Sequence, residues 1–209
     1  MTRLILASAS PRRRELLAVL GLPFTVQTAD IDESALPDEA PEVHARRLAE
    51  TKARTVAARS GEAVVLAADT IVVQRGQILG KPGDAADARR MLRLLRTAPH
   101  RVITAVAVAQ TQSRVFSADH SSRVVMRPYT DAEIDAYVAS GDPLDKAGAY
   151  AIQNDGFAPV ARFDGCFASI MGLPLGVVAD LLRRAGLDPT PNWPEKCHAI
   201  TGRCCRLDI

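Results

Sequence analysis

Asp69 is a carboxylate within an otherwise apolar stretch, residues 63–73, in which Thr70 is the only other polar residue. An unpaired carboxylate loses several kcal/mol when it leaves water, so it needs a cationic partner, a metal ion or an exit to solvent at a strand end. A turn between two strands, with Asp69 bonded to nearby backbone groups, explains the pattern as well. Both interpretations stay open, and Asp69 is a candidate for catalysis or metal binding.

A second candidate is the segment from Ser8 to Arg14, which reads Ser-Ala-Ser-Pro-Arg-Arg-Arg. Ser10 suits a helix N-cap, and Pro11 suits the first helical position, where a missing N–H is tolerated. A strand that runs into a helix N-terminus presents free N–H groups, and arginine side chains pair bidentately with phosphate oxygens. The segment indicates a polyphosphate site, although a capped helix with arginines in water has the same sequence.

Four further charged residues could complete such a site: Glu33, Lys52, Lys81 and Lys146. Lys52 has the helical spacing of an apolar stripe that begins at Ala45, which predicts that Lys52 faces the core. Lys81 lies in a Gly-Lys-Pro segment that lacks the spaced glycines and the Ser or Thr of a P-loop. Glu33 and Lys146 lie in polar loops, for which a solvated turn is the alternative explanation.

The composition is that of a globular protein, since 47 % of the 209 residues are hydrophobic and 24 % are charged. The net charge of +2 gives no global positive field, so we expect no nucleic-acid partner. No apolar run approaches the ~20 residues of a membrane helix, so we expect no membrane partner either. Three of the four cysteines lie at or beyond position 197, where they cannot tie the fold together. We therefore expect reduced thiols and a cytoplasmic location.

Apolar runs that alternate with helical patterns predict an α/β protein. Strands are expected at residues 3–8, 24–27, 101–109, 115–126, 149–153 and 159–163, and helices at 12–20, 41–59, 84–96, 130–141 and 173–185. Residues 1–187 then form one domain, and residues 188–209 form an irregular tail. The tail residues Cys197, His198, Cys204 and Cys205 could bind zinc, but their spacing matches no standard site, which favours a flexible tail.

Five segments together resemble the Maf family of nucleoside triphosphate pyrophosphatases, in the same order and over residues 4 to about 187. They read LASASPRR from Leu6, AADT from Ala67, GKP from Gly80, DKAGAY from Asp145 and GLPL from Gly172. The resemblance implies a mixed twisted sheet with flanking helices, in two lobes around a central cleft, as in inosine triphosphatases. It also implies a divalent metal ion, Mg²⁺ or Mn²⁺, and a homodimer.

Within that family, the three positions that distinguish substrates match Arg12, Thr70 and Gln153, a combination similar to the branch that acts on dTTP and UTP. Gln offers a donor and an acceptor, which suits the imide edge of thymine or uracil. The chain departs from the family pattern at Ala151 and Asn154, where glycine is frequent, and at Cys166-Phe167, where Ser-Tyr is frequent.

The resulting hypothesis is attack of water on the α-phosphorus, which releases a nucleoside monophosphate and pyrophosphate. Asp69 would act as base or orient the water, and would share the metal ion with Glu33. The catalytic set is Asp69, Glu33, Lys52 and Lys81, and the substrate-binding set is Ser8, Arg12, Arg13, Thr70, Lys146 and Gln153.

Two other functions remain possible from the sequence. One is a regulator of cell division and septum formation that binds nucleic acid or nucleotides without turnover. The low aromatic content of 4 % disfavours it, because few rings could stack on bases. The other is a different phosphohydrolase, such as a sugar-phosphate phosphatase, which would hydrolyse monoesters.

Overall fold

A seven-stranded mixed sheet forms the centre of the computed structural model, which describes residues 2–202 and 204. The strands are β1 (Leu4–Leu6), β2 (Phe24–Val26), β3 (Val64–Gln74), β4 (Gln77–Leu79), β5 (His100–Ala109), β6 (Val115–Met126) and β7 (Val160–Asp164). Their order is β2-β1-β3-β5-β6-β7, with β4 paired to β3. β1 is parallel to β2 and β3, and the other pairs are antiparallel.

Seven α-helices flank this sheet: α1 (Pro11–Ala18), α2 (Pro41–Ala57), α3 (Ala85–Leu95), α4 (Asp131–Ala139), α5 (Phe167–Met171), α6 (Leu175–Arg184) and α7 (Trp193–Thr201), counted within the described residues. Their starts follow from local sequence. The Ser10 hydroxyl accepts a hydrogen bond from the Arg13 N–H at the start of α1, as predicted. Thr130 and Glu133 form a reciprocal capping box at the start of α4.

The long central strands pass through two lobes. In the first lobe, β1, α1, α6 and α7 pack over one end of β3 and β5, where Leu66 and Val108 are buried. In the second lobe, α3 and α4 pack over the other end, around Val72 and Val102. α2 covers the opposite face of the sheet. The predicted fold class, a mixed sheet with flanking helices and two lobes around a cleft, is confirmed.

β3 is continuous from Val64 to Gln74, so the alternative of a turn at Asp69 is wrong. Nine consecutive residues of β3 pair with β5, and Asp69 lies opposite Ala105. Ladder bonds to β5 along this length hold the backbone extended, and Asp69 needs no local turn.

The strand predicted at residues 149–153 is absent. Gly148 and Ala149 both have positive φ, 69° and 58°, which breaks an extended chain. Gly148 also lies so close to Val72 that a Cβ atom there would be 2.9 Å from that side chain. Two short 3₁₀ turns, Asp142–Asp145 and Ala147–Ala149, lead into this segment, and residues 150–153 form coil and turn. The apolar side chains of this segment are buried in irregular backbone, which periodicity alone could not distinguish from a strand.

The irregular tail predicted for residues 188–209 is wrong over Trp193–Thr201, which forms α7. Trp193, Cys197 and Cys204 are buried in the first lobe, and His198 is exposed. Burial of the indole holds the helix on the domain. Cys205 lies outside the described residues. The predicted helix at 173–185 is preceded by a separate short helix, α5, because Gly172 turns the chain at φ 115°.

Candidate functional site

The sheet is split along one edge of β3. On this edge β1 pairs with residues 64–66 and β4 pairs with residues 72–74. Within the described part of the chain, no strand covers the five residues between them. A cavity of about 580 Å³ opens at this gap. Because side chains alternate along a strand, Asp69 and Thr70 enter it from opposite faces of the sheet.

All ten residues selected from the sequence lie on the wall of this one cavity: Ser8, Arg12, Arg13, Glu33, Lys52, Asp69, Thr70, Lys81, Lys146 and Gln153. They come from α1, α2, β3 and four loops. Because these residues are far apart in the sequence, the tertiary fold brings them together. Their individual roles stay predictions.

Lys52 joins the two candidate metal ligands. Its Nζ atom lies 2.6 Å from Asp69 Oδ1 and 2.7 Å from Glu33 Oε1. Lys52 and Asp69 are buried, whereas the Glu33 side chain is 53 % exposed. Burial by itself raises the pKa of Glu33, but the hydrogen bond and charge of Lys52, with Lys81 and Arg13 nearby, lower that pKa below its usual value. Glu33 is therefore held ionised next to the Lys52 ammonium group.

The chemistry of this donor set fits a hard divalent cation. Mg²⁺ in phosphate-processing sites takes one or two carboxylates from the protein and the rest of its ligands from phosphates and water. Glu33 and Asp69 supply two carboxylates on either side of one cationic group. Among the described residues, no three His, Cys, Asp or Glu side chains are grouped as a metal cage. The pair can thus hold Mg²⁺ or Mn²⁺ together with a bound polyphosphate.

Arg13 is fixed by three hydrogen bonds from different atoms of its guanidinium group. Nε donates to the Gly172 carbonyl at 2.9 Å, Nη1 to Ser8 Oγ at 3.3 Å and Nη2 to Thr70 Oγ1 at 3.0 Å. Desolvation lowers the pKa of Arg13, and the charge of Asp69 opposes this shift. A guanidinium stays protonated in proteins, so Arg13 is a pre-positioned cation in the cleft.

Thr70 belongs to a chain of hydroxyl hydrogen bonds at the junction of the two lobes. Its Oγ1 lies 2.9 Å from Oγ1 of Thr104, the residue opposite it on β5. Thr104 donates its proton to the Ser169 carbonyl at 2.8 Å, so Thr70 must donate to Thr104 and accept from Arg13. The sequence predicts that Thr70 helps to recognise the base, and its hydrogen bond with Arg13 shows that it also orients that side chain. Sequence reasoning missed Thr104, because a buried threonine in a strand has an ordinary appearance.

Lys146 has all three of its N–H donors occupied by neighbours. They reach the backbone carbonyl and Oδ1 of Asp142, the latter at 3.0 Å, and Oδ1 of Asp145 at 2.7 Å. The ammonium group is buried on the cavity wall. Lys146 therefore fixes the turn on the cavity wall, with its charge matched by Asp142 and Asp145. The nearby aspartates in the DPLDK segment were a readable signal that sequence reasoning did not use.

A cluster around Glu39 anchors the acidic loop that carries Glu33. Arg47 donates to both carboxylate oxygens of Glu39 at 2.6 and 2.8 Å, and His44 Nδ1 lies 2.9 Å from Oε2. Arg47 also donates to the Ser34 carbonyl at 2.9 Å, which ties the loop to α2. Hydrogen bonds from Arg47 lower the pKa of Glu39 to about 2. Sequence reasoning missed this cluster.

Glu33, Asp69 and five cationic side chains on the wall of one cleft form a site that can bind a polyphosphate with its metal ion. The Maf-like protein family model matches residues 3–185, and the chain belongs to this family. The resemblance stated from the sequence is confirmed.

Two relatives named dTTP/UTP pyrophosphatase illustrate the similarity. The protein from Anaeromyxobacter dehalogenans (strain 2CP-C) is 53 % identical over 196 residues, which cover 92 % of this chain and 98 % of the relative. The protein from Thermomicrobium roseum is 53 % identical over 186 residues, which cover 88 % and 84 %. A solved HAM1 protein from Coxiella burnetii has a TM-score of 0.48 at 16 % identity, over 76 % of this chain and 91 % of that one.

Proposed function

We propose that this protein is a nucleoside triphosphate pyrophosphatase that hydrolyses dTTP and UTP to the nucleoside monophosphate and pyrophosphate. The observation that carries the proposal is the Lys52 bridge between Glu33 and Asp69, which faces the cationic side chains of one cleft. The names of the relatives support the two substrates.

The side chains of the cleft have different roles in hydrolysis. Asp69 orients the attacking water towards the α-phosphorus and accepts its proton, while Lys52 holds Asp69 and Glu33 in place. Arg12, Arg13 and Lys81, with the Ser8 hydroxyl, bind the phosphate oxygens and stabilise the charge that develops on the leaving pyrophosphate. Mg²⁺ or Mn²⁺, held by Glu33 and Asp69, would supply further neutralisation of phosphate charge.

Base selection is assigned to Gln153, with Thr70 and Lys146 as its support. Gln153 lines the cavity, and its amide can pair with the imide edge of a pyrimidine. Thr70 contributes by orienting Arg13, and Lys146 holds the neighbouring turn.

The test is incubation of the protein with each canonical triphosphate and Mg²⁺, followed by product identification. We expect monophosphate and pyrophosphate from dTTP and UTP, and little product from purine triphosphates. The Asp69→Asn variant should keep its fold and lose turnover. Release of orthophosphate without pyrophosphate, or near-normal turnover by the variant, would refute the assignment.

Assembly and location form a separate part of the proposal. We propose a homodimer, as the family resemblance implies, and a cytoplasmic location, as the positions of the cysteines indicate. No helix in the described part of the chain has the length and apolarity to cross a membrane. Light scattering coupled to size-exclusion chromatography tests the dimer, and a mass of one 22.4 kDa chain would contradict it.

A further inference from the structure

Asn154 stabilises the turn that follows Gln153 through hydrogen bonds within the turn. Its Oδ1 atom accepts the Phe157 N–H at 2.8 Å, and its carbonyl accepts the Ala158 N–H at 2.7 Å. Its own N–H donates to the Ala151 carbonyl at 3.2 Å. Three hydrogen bonds at one residue give residues 151–158 a defined shape, although they contain no helix or strand.

Asn154 also ties this turn to the second lobe. Its Nδ2 atom donates to Asp142 Oδ2 at 3.2 Å, and the same oxygen accepts the Tyr137 hydroxyl at 2.6 Å. Oδ1 of Asp142 accepts from Lys146 at 3.0 Å. Burial raises the pKa of Asp142, but the hydrogen bonds from Tyr137 and Lys146 lower it below its usual value. Asp142 is thus a charged acceptor for Asn154, which strengthens their bond.

The Tyr137 and Phe157 rings complete a closed circuit. They stack with centroids 4.3 Å apart and an interplanar angle of 15°. Tyr137 contacts Asp142, Asp142 contacts Asn154, Asn154 holds Phe157, and Phe157 stacks on Tyr137. Because each contact limits the next, the circuit fixes the direction in which the turn leaves the lobe.

Gln153 lies directly before Asn154 and is partly buried on the cavity wall. An amide discriminates between bases only if its donor and acceptor point in fixed directions. We propose that Asn154, held by Asp142, is a positioning residue that fixes the Gln153 amide for recognition of a pyrimidine base. This inference rests on the proposed function and deepens it.

The test compares four variants with the wild type: Asn154→Ala, Asn154→Asp, the exchanged pair Asp142→Asn/Asn154→Asp, and Asp155→Ala as control. Asp155 is exposed in the same turn and has no part in the circuit. For each protein, kcat and KM are measured with dTTP, UTP, ATP and GTP. Circular dichroism and thermal unfolding identify the folded variants.

Asn154→Ala removes the side-chain hydrogen bonds to Asp142 and from Phe157, so the Gln153 amide loses its fixed direction. We expect KM for dTTP and UTP to rise about tenfold, with kcat within about twofold of wild type. Rates with ATP and GTP should stay unchanged, so pyrimidine preference falls. Asn154→Asp faces Asp142 with a second carboxylate and should lose at least as much preference. The exchanged pair restores an amide next to a carboxylate and should recover part of it.

An unchanged ratio of kcat/KM for dTTP over ATP in the folded Asn154 variants would overturn the inference. A uniform loss of kcat with all four substrates would overturn it as well, because that pattern belongs to phosphate chemistry. If the wild type itself turns over no triphosphate, the proposed function fails instead. If Asn154→Ala does not fold, the comparison of Asn154→Asp with the exchanged pair decides the question.

Discussion

Lys52 Nζ lies 2.6 Å from Asp69 Oδ1, and each of the two side chains is only 10 % exposed. α2 contributes the lysine and β3 contributes the aspartate, so the pair joins the helix to the split edge of the sheet. Lys52 thus supplies a cationic partner for the buried Asp69 carboxylate, whose neighbours in the strand are mostly apolar. Glu33, on the outer side, shares the same ammonium group.

Lys52→Met should lower the free energy of unfolding by about 3–5 kcal/mol, because it leaves the Asp69 carboxylate buried without its partner. The double variant Lys52→Met/Asp69→Asn removes both charges and should recover most of that loss, while it stays inactive. Urea unfolding at neutral pH measures both effects. A Lys52→Met protein as stable as the wild type would show that Asp69 does not depend on this pair.

Arg13→Lys should reduce kcat/KM about 10²–10³-fold, because a single ammonium group cannot replace the three directed N–H groups. Arg14→Lys is the matched control, since Arg14 is exposed on the same helix. Steady-state kinetics with dTTP give both values. Equal activities of the two variants would contradict a role of Arg13 in binding the phosphates.

Burial of His100 should lower the free energy of unfolding in mild acid. Burial lowers its pKa to about 4 from its ordinary value of 6.5, and its Nδ1 atom has no hydrogen-bond partner among the described residues. Between these two pH values the unfolded chain binds a proton that the folded chain does not. The free energy of unfolding should therefore fall by about 3 kcal/mol from this residue as pH drops from 6.5 to 4.

His100→Gln should remove this part of the pH dependence and retain a polar partner for Tyr150, which lies 2.8 Å from His100 Nε2. His198→Gln is the control, because His198 is exposed. Urea unfolding at a series of pH values between 7.5 and 4 provides the comparison. If His100→Gln and the wild type have parallel profiles, the acid loss has another origin.

Trp193→Ala tests the packing of α7. Trp193 is 3 % exposed within the first lobe, so its truncation should lower the free energy of unfolding by about 3–5 kcal/mol. His198→Ala, on the exposed side of the same helix, should change it by less than about 0.5 kcal/mol. Thermal and urea unfolding measure the difference. Equal stabilities would mean that α7 is not part of the folded unit.

Sequence patterns predicted the elements whose signals are local. The Ser10-Pro11 start of α1 follows from cap chemistry, and the inward position of Lys52 follows from helical spacing. The predictions were wrong for residues 149–153 and for α7, where distant contacts set the backbone conformation. Gly148 approaches Val72, and Trp193 packs into the first lobe.

By itself the sequence determined the α/β class, the family resemblance and the ten residues of the candidate site. The tertiary structure alone decided how those residues are related. Separation of β1 from β4 opens the edge of β3, so that neighbours on one strand serve opposite walls of a cleft. The partners of Lys52, Arg13 and Lys146 are likewise set by the fold, because side-chain hydrogen bonds depend on distances between segments that sequence spacing does not record.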